Sequence, residues 1–327
     1  MLLRSWVLMF MSVVFIRGAS ASCGSATCPL NNTRYLGAGL LRMGYAYEYI
    51  NQDRIYVGTS RSFIGAIPEH HDEVQTINQR NILSLDYGIT GRMSLSVQIP
   101  FVHREHSHIH HHMGEDLWES WNFGGVGDVV AAGQYTLPIH STDMTSYVTV
   151  LGGIKFPTGV TDMKNAEGEL AEVTIQPGTG SYDGIVGVNA RQSLGTVPTF
   201  SGLVGTMPVI VGITYQVSGL GTDGYRFGNA LLAHVGTEYP LARAATFLFQ
   251  INGKFQGYAD VGSTGEPREN TGGTWIFASP GLSLMVTDVV SAYAFVQFPV
   301  YQNVHGIQQT SAVNMQFGIS TNVDLLD

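Results

Sequence analysis

The sequence predicts an all-β fold, a transmembrane antiparallel β-barrel of about 12 strands. Successive segments alternate apolar and polar residues along most of the chain, and the side chains of a strand point alternately to its two faces. An export signal precedes these segments, and charged residues make up only 13% of the chain, against about 25% in soluble domains. After the signal no run of about 18 apolar residues occurs, which excludes spanning by helices and favours a barrel.

The chain begins with a predicted signal peptide, residues 1–21. Arg4 supplies a positive charge, an apolar run follows from Trp6 to Ile16, and residues 19–21 form a small-x-small cleavage site. The run is shorter than the roughly 20 apolar residues of a membrane anchor. Lipidation of Cys23 is the alternative, but Ser20 stands where a lipoprotein signal would carry Leu.

Residues 22–39 are predicted to form a short periplasmic N-terminal segment. The two cysteines of the chain, Cys23 and Cys28, both lie here. In an exported protein such a pair is expected to form a disulfide that closes a small loop. A redox or metal-binding pair is the alternative, although it ordinarily has C-x-x-C spacing or further ligands.

The barrel is predicted over residues 40–327. Its first strand places Leu41, Met43 and Tyr45 on the outer face, and its ninth places Phe247 and Phe249 there. The predicted strands are 41–49, a segment ending at 83–87, 93–101, 127–137, 147–156, 182–192, a segment ending at 209–217, 225–239, 247–256, 275–285, 291–301 and 313–323. Long loops at 53–74, 103–122, 157–180 and 260–272 alternate with short turns, so a periplasmic N-terminus puts the long loops outside the cell. A soluble β-sandwich is the alternative, but it would not normally place aromatic residues on so many outer faces.

Four turn-and-strand motifs follow one another in the first half of the barrel. They are Tyr87–Arg92 running into Gln98–Val102, Gly125–Asp128 followed by Gly133–Tyr135, then Gly153–Gly159, and finally Gly178–Asp183. In this order and spacing, the chain from about Leu40 onward resembles the outer-membrane barrel family named for the meta-pathway of phenol degradation. The resemblance implies an outer-membrane channel, with hydrophobic or aromatic solutes as one candidate cargo.

Charged and titratable residues fall on the predicted inward faces of the strands. These candidate lumen-lining residues are Arg42, Glu48, Arg80, Asp86, Asp128, Lys155, Asp183, Arg191, His234, Glu238 and Lys254. Both signs of charge occur among them. We expect either a water-filled path or a lumen closed by salt bridges between its own side chains.

A histidine-rich run from His103 to Met113 holds six of the 11 histidines of the chain. Imidazole suits Zn, Cu and Ni, and a Met thioether suits Cu(I). The candidate ligands are His70, His71, His103, His106, His108, His110, His111, His112 and Met113. If the run is extended, His106, His108 and His110 share one side. The alternative is a hydrated loop whose histidines gain charge near about pH 6.5.

Three aromatic residues, Trp118, Trp121 and Phe123, follow the histidine-rich run. They are expected to belong to the outer aromatic girdle that marks the membrane interface of a barrel. The alternative is an apolar mouth for a hydrophobic ligand.

The sequence therefore predicts a passive channel in the outer membrane of a Gram-negative bacterium, monomeric and without a required cofactor. One alternative is a surface protein that captures Cu, Zn or Ni, and another is a barrel that holds periplasmic partners through residues 23–39. No G-x-S-x-G motif occurs, so no enzyme is expected. The formal net charge of −9 argues against nucleic acid, which leaves outer-membrane lipid and a small solute as partners.

Overall fold

The computed structural model describes residues 35–66, 72–112, 115–139, 145–199, 202 and 204–326, with the backbone alone at 111, 112 and 115. Within these residues the chain forms fourteen strands and two short 3₁₀ turns. The strands are β1 (Leu40–Val57), β2 (Ser60–Arg61), β3 (Asp72–Gly88), β4 (Met93–His112), β5 (Glu115–Val126), β6 (Val130–Pro138), β7 (Tyr147–Lys155), β8 (Asp183–Pro198), β9 (Val204–Val217), β10 (Ala230–Ala242), β11 (Ala245–Gln256), β12 (Gly273–Met285), β13 (Val290–Val304) and β14 (Ile307–Asp324). The 3₁₀ turns are Thr222–Gly224 and Arg268–Asn270. No helix in the described part of the chain has the length and apolar character needed to cross a membrane.

The strands form one antiparallel sheet that closes on itself. β1 pairs with β3 on one side and with β14 on the other, from Leu40 opposite Asp324 to Val57 opposite Ile307. The ring follows chain order and contains all the strands except β2, a short return on β1, and β5, which pairs with the outer half of β4. Twelve strands therefore make the barrel wall of the described chain, as the alternation predicts.

The wall shows the two-residue period along its strands. On β11 the outward Phe247, Phe249 and Phe255 are 38–39% exposed, whereas the intervening Gln250 and Lys254 are at most 4% exposed. Aromatic and β-branched residues fit a pleated surface that is apolar on one side. A barrel with an apolar outer face and a polar inner face results.

The barrel wall is tall on one side and low on the other. At the end that carries the long loops, here called the loop end, the β4–β5 ladder continues to His112 opposite Glu115. The ladder of β6 with β7 stops at Val130 opposite Lys155. The opposite end, which carries the short turns and is called the turn end, is more even. Long loops therefore fill the space above the low side.

Several strands are longer than predicted, as where β1 runs to Val57 into the predicted loop 53–74 and β14 begins at Ile307 rather than 313. Three further differences bear on the site. Residues 103–122, predicted as a loop, form the tall β4–β5 hairpin, because the alternation continues through the histidine-rich run with buried residues at 102, 104, 106 and 108. Strand β6 begins at Val130 rather than 127, because Asp128 and Val129 bond Gly159 and Thr158 instead of β4. Strand β10 begins at Ala230 rather than 225, because Tyr225 is buried in the loop that precedes it.

Apolar side chains also pack inside the barrel near the turn end. Ala46, Ile82, Tyr293 and Phe295 form a buried cluster on the inner wall. The Tyr293 ring lies over Gly318, where a Cβ atom would come within 2.3 Å of the ring. A glycine at this position therefore makes room for the aromatic ring to lie against the wall.

Residues 35–39 lead into β1 across the turn end. Leu36 is only 5% exposed, and the backbone nitrogen of Tyr35 donates a hydrogen bond of 3.3 Å to the hydroxyl of Tyr147 on β7. Gly88 permits this passage, because a Cβ atom there would come within 1.9 Å of the Gly37 oxygen. The predicted signal peptide and the predicted Cys23–Cys28 disulfide lie outside the described residues.

Candidate functional site

The candidate site is the interior of the barrel. Ten of the eleven candidate lumen residues are at most 8% exposed, and the Arg191 side chain is 16% exposed. Several of them form ion pairs across the lumen wall: Arg80 with Glu48 at 3.0 Å, and Arg191 with Glu238 through two hydrogen bonds of 3.1 and 3.0 Å. Charged residues this well buried are ordinarily paired.

A buried lysine joins two carboxylates where the low side of the wall ends. Lys155 Nζ lies 2.8 Å from Asp183 Oδ2 and 3.3 Å from Asp128 Oδ2. It also donates hydrogen bonds to the hydroxyls of Thr179 and Ser181. The three motifs Gly125–Asp128, Gly153–Gly159 and Gly178–Asp183 thus meet at one point in the structure.

The loop between β7 and β8, residues 156–182, is held by this cluster and is called the plug segment. The Asp128 carboxylate accepts hydrogen bonds of 2.9 Å from the backbone nitrogen of Gly159 and 2.9 Å from that of Thr179. The Thr179 hydroxyl donates a third bond of 2.6 Å to it. One carboxylate therefore bonds both ends of the plug segment, which backbone hydrogen bonds from Val160 to Val126 and from Gly178 to Val160 also hold.

The middle of the plug segment packs between the tall wall and the other loops. Ala171 and Ile175 contact Trp121 and Phe123 on β5 in a buried apolar cluster. On the other side, Val173 packs in a second cluster with Tyr225 and Ala259. These contacts form an apolar layer at the loop end of the barrel.

This packing corrects the aromatic-girdle prediction for two of its three residues. Trp121 is 4% exposed and Phe123 is 7% exposed, and both lie on the inner face against the plug segment, whereas Trp118 is 61% exposed. The physical reason is that β5 continues the wall beyond the end of β6 at the loop end. The inner face of β5 therefore packs against the plug segment.

Small cavities lie at the root of the plug segment. Two cavities of about 20 Å³ each lie beside Lys155 and Thr179, one toward Arg80 and Gln98 and the other toward Gln216. Each has space for little more than one water molecule. Farther along the lumen, Ser84 Oγ, Gln98 Nε2 and Gln250 Nε2 are buried without a hydrogen-bond partner among the described residues, a condition that bound water ordinarily relieves.

The histidine-rich run presents two faces. His106 and His108 are 3% and 4% exposed on the inner face of β4, whereas the side chain of His103, on the outer face, is 42% exposed. The His110 side chain is 49% exposed. His70 and His71 lie outside the described residues, as do the side chains of His111 and His112 and the whole of Met113.

Acidic residues surround the two buried histidines, and none of them is among the ligands predicted from the sequence. Glu119 lies opposite His108 in the β4–β5 ladder and bonds its Nε2 at 2.8 Å. Its second oxygen lies 3.3 Å from His110 Nδ1. Burial alone would raise the pKa of the Glu119 carboxyl, but hydrogen bonds and charge interactions with His108 and His110 outweigh this effect and hold the pKa below its ordinary value of 4.5. The sequence alone does not show that Glu119 lies opposite His108, because this depends on how β4 and β5 pair.

The fold is similar to that of a solved outer-membrane channel from Pseudomonas putida F1, with a TM-score of 0.64 and 11% sequence identity over 89% of this chain and 98% of that chain. The translocator domain of the autotransporter NalP from Neisseria meningitidis is less similar, with a TM-score of 0.43 and 10% identity over 88% and 89% of the two chains. No protein-family model and no curated protein sequence matches this chain. The likeness shows that the fold is of the outer-membrane β-barrel type, and the sequence resemblance to the meta-pathway family stays a prediction.

Proposed function

We propose that the protein is an outer-membrane channel for small solutes, and that the plug segment moves when a solute passes. The observation that supports this proposal is the single carboxylate, Asp128, that holds both ends of the plug segment. A barrel that served only as a scaffold would gain nothing from a lumen closed by one anchored loop. The alternative of a lumen closed permanently by its own salt bridges remains open to the test below.

The proposed solutes are small and carry an apolar or aromatic surface. The plug segment packs against Trp121 and Phe123 of β5 and against Tyr225 of a neighbouring loop, and aromatic side chains are the usual lining of sites for apolar ligands. Below this layer the path is lined by polar and charged side chains. A solute with one apolar and one polar part would match both regions.

The test is single-channel conductance of the refolded chain in a planar bilayer, compared with a variant in which residues 164–174 are replaced by a short Gly-Ser linker. We expect brief openings from the natural chain and long-lived, larger openings from the variant, because the variant keeps Asp128, Gly159 and Thr179 but lacks Ala171 and Val173 of the apolar layer. A variant that is folded and inserted but does not conduct would refute the channel proposal.

A second proposal is surface capture of a transition metal by the histidine hairpin. It is supported by the buried pair His106 and His108 with Glu119 beside it. The two proposals are compatible, because the histidine pair lies against the plug segment.

A further inference from the structure

We infer that one divalent transition-metal ion of the zinc class binds between the β4–β5 hairpin and the plug segment, through His106, His108, Glu73 and Glu172, and holds the plug segment closed. The ion-binding part of this inference stands on the side-chain geometry alone. Its effect on the plug segment extends the proposed channel function.

Two imidazole nitrogens already have the spacing of metal ligands. His106 Nε2 and His108 Nδ1 are 3.4 Å apart. Zn–N bonds of about 2.0–2.1 Å in a tetrahedral site place neighbouring ligand atoms about 3.4 Å apart. The same spacing allows only a long N–H···N hydrogen bond.

Two carboxylates approach these nitrogens from different parts of the chain. Glu73 Oε2 lies 3.6 Å from His106 Nε2, and Glu172 Oε1 lies 3.9 Å from His108 Nδ1. The four donors are two nitrogens and two oxygens, a set that suits zinc. No group of three or more His, Cys, Asp or Glu side chains in the described chain forms a ready-made metal site, so the carboxylates must move inward when the ion binds.

The remaining nitrogen of each imidazole already has a partner. His106 Nδ1 lies 2.9 Å from the Thr76 hydroxyl, and His108 Nε2 lies 2.8 Å from Glu119 Oε2. Metal-binding histidines almost always hydrogen-bond through their other nitrogen to a carboxylate, carbonyl or water, which fixes the tautomer. With its proton on Nε2 toward Glu119, His108 presents a lone pair at Nδ1. This nitrogen lies 3.9 Å from Glu172 Oε1, so that a cation between them would bind both.

A β-bulge brings Glu73 to the inner face. The β3–β4 register shifts between Glu73 and Gln75, so that Glu73 stands opposite His108 while Thr76 stands opposite His106. Without the extra residue, Glu73 would point to the outer face, because successive side chains alternate. Bulges are known to re-aim a side chain in this way.

The site is shielded and carries excess negative charge. The Trp121 ring lies 4.9 Å from the His108 ring and 5.8 Å from the His106 ring, measured between centroids. Three carboxylates, those of Glu73, Glu119 and Glu172, lie within 4 Å of the two imidazoles. The buried Arg104 lies two residues from His106 along β4 and donates to the Gln176 carbonyl, so one positive charge lies near the three negative ones. A divalent cation would supply two more.

Glu172 gives the site its connection to the plug segment. Its backbone oxygen accepts hydrogen bonds from the nitrogens of Ile175 and Gln176 in a tight turn, and Ile175 belongs to the apolar layer at the loop end. An ion bound to both Glu172 and the β4 histidines would therefore cross-link the plug segment to the barrel wall.

The test uses Co²⁺ alone as a spectroscopic probe on the refolded full chain, because tetrahedral Co²⁺ absorbs visible light intensely and octahedral Co²⁺ weakly. We expect intense absorption that saturates at about one ion per chain, loss of it in His106→Ala, and a weaker or shifted spectrum in Glu172→Gln. The matched control is His103→Ala on the outer face of β4, which keeps the intense spectrum. Weak absorption in the natural chain, or an intense spectrum that survives His106→Ala, would overturn the site and assign binding to the exposed histidines.

The effect on the plug segment is measured by trypsin cleavage after the exposed Lys164, with and without Zn²⁺. We expect Zn²⁺ to slow cleavage at least tenfold in the natural chain and in His103→Ala, and to have no effect in Glu172→Gln. An intense Co²⁺ spectrum with unchanged cleavage would overturn the cross-link. Neither measurement requires conductance, so a chain that never conducts refutes the channel proposal and leaves the metal site to these two results.

Discussion

Replacement of Asp128 by Asn tests whether one carboxylate holds the plug segment closed. The carboxylate accepts three hydrogen bonds from Gly159 and Thr179, and it lies 3.3 Å from Lys155 Nζ. Asparagine keeps one acceptor oxygen but loses the second and the charge. Hydrogen bonds to a charged group are each worth about 1.5–3 kcal/mol, so we expect the closed state to lose about 3 kcal/mol. At about 1.4 kcal/mol per factor of ten, the ratio of open to closed channel rises about 100-fold.

The assay for Asp128→Asn is single-channel recording, with trypsin cleavage at Lys164 as an independent measure of plug release. Asp260→Asn is the matched control, because Asp260 pairs with Arg226 on the exposed surface of the loops and exposed pairs contribute little. We expect the control to behave as the natural chain. If Asp128→Asn forms a folded barrel with unchanged open fraction and unchanged cleavage, the anchoring role of Asp128 is wrong.

Three further predictions concern the wall and the hairpin. Gly318→Ala should lower the free energy of unfolding by about 1–3 kcal/mol, because the alanine Cβ atom would lie 2.3 Å from the Tyr293 ring. The midpoint of urea unfolding measures this loss. Gly152→Ala is the control and should leave the midpoint unchanged, because a Cβ atom at Gly152 meets nothing within 4 Å. Phe249→Lys on the lipid face should cost about 2–4 kcal/mol in the same assay if the residue lies near the membrane midplane, and an unchanged midpoint would contradict the outward assignment. Interactions with the histidines lower the pKa of Glu119 below 4.5, so the stability that Glu119 contributes is present above pH 4.5 and is lost as the pH falls through the lower, folded-state pKa. Amide hydrogen exchange of β4 and β5 should therefore quicken below pH 4.5 in the natural chain. Glu119→Gln should show no such step.

The alternation of side chains was sufficient to predict the barrel. Successive side chains of a strand point to opposite faces, so if Phe249 faces lipid, Gln250 must face inward. The same two-residue period predicts that Asp128 and Lys155 lie in the interior. The composition of the histidine-rich run predicts a loop, but the run up to His112 forms the outer half of β4. Its parity was present in the sequence, with Arg104, His106 and His108 alternating with residues of the outer face.

The contacts around the plug segment could not be predicted in the same way. Glu73 changes face through a bulge, and one inserted residue leaves no clear mark in the alternation. Glu172 lies in a long loop without regular period, so only the packed structure brings it to His108. The motifs that contain Asp128, Lys155 and Asp183 were visible in the sequence, but their meeting depends on which strands end at the same height.

The pairing of β1 with β14 has a consequence for how the chain reaches its folded state. Leu40 pairs with Asp324, so the closing contact joins distant parts of the sequence. Such contacts slow folding, because much of the chain must be ordered before they form. Until that pairing is complete, both strands expose unpaired backbone groups that another chain can join. Assembly therefore passes through an open sheet with two unpaired edge strands. We expect this intermediate to need a chaperone that binds it until it reaches the membrane.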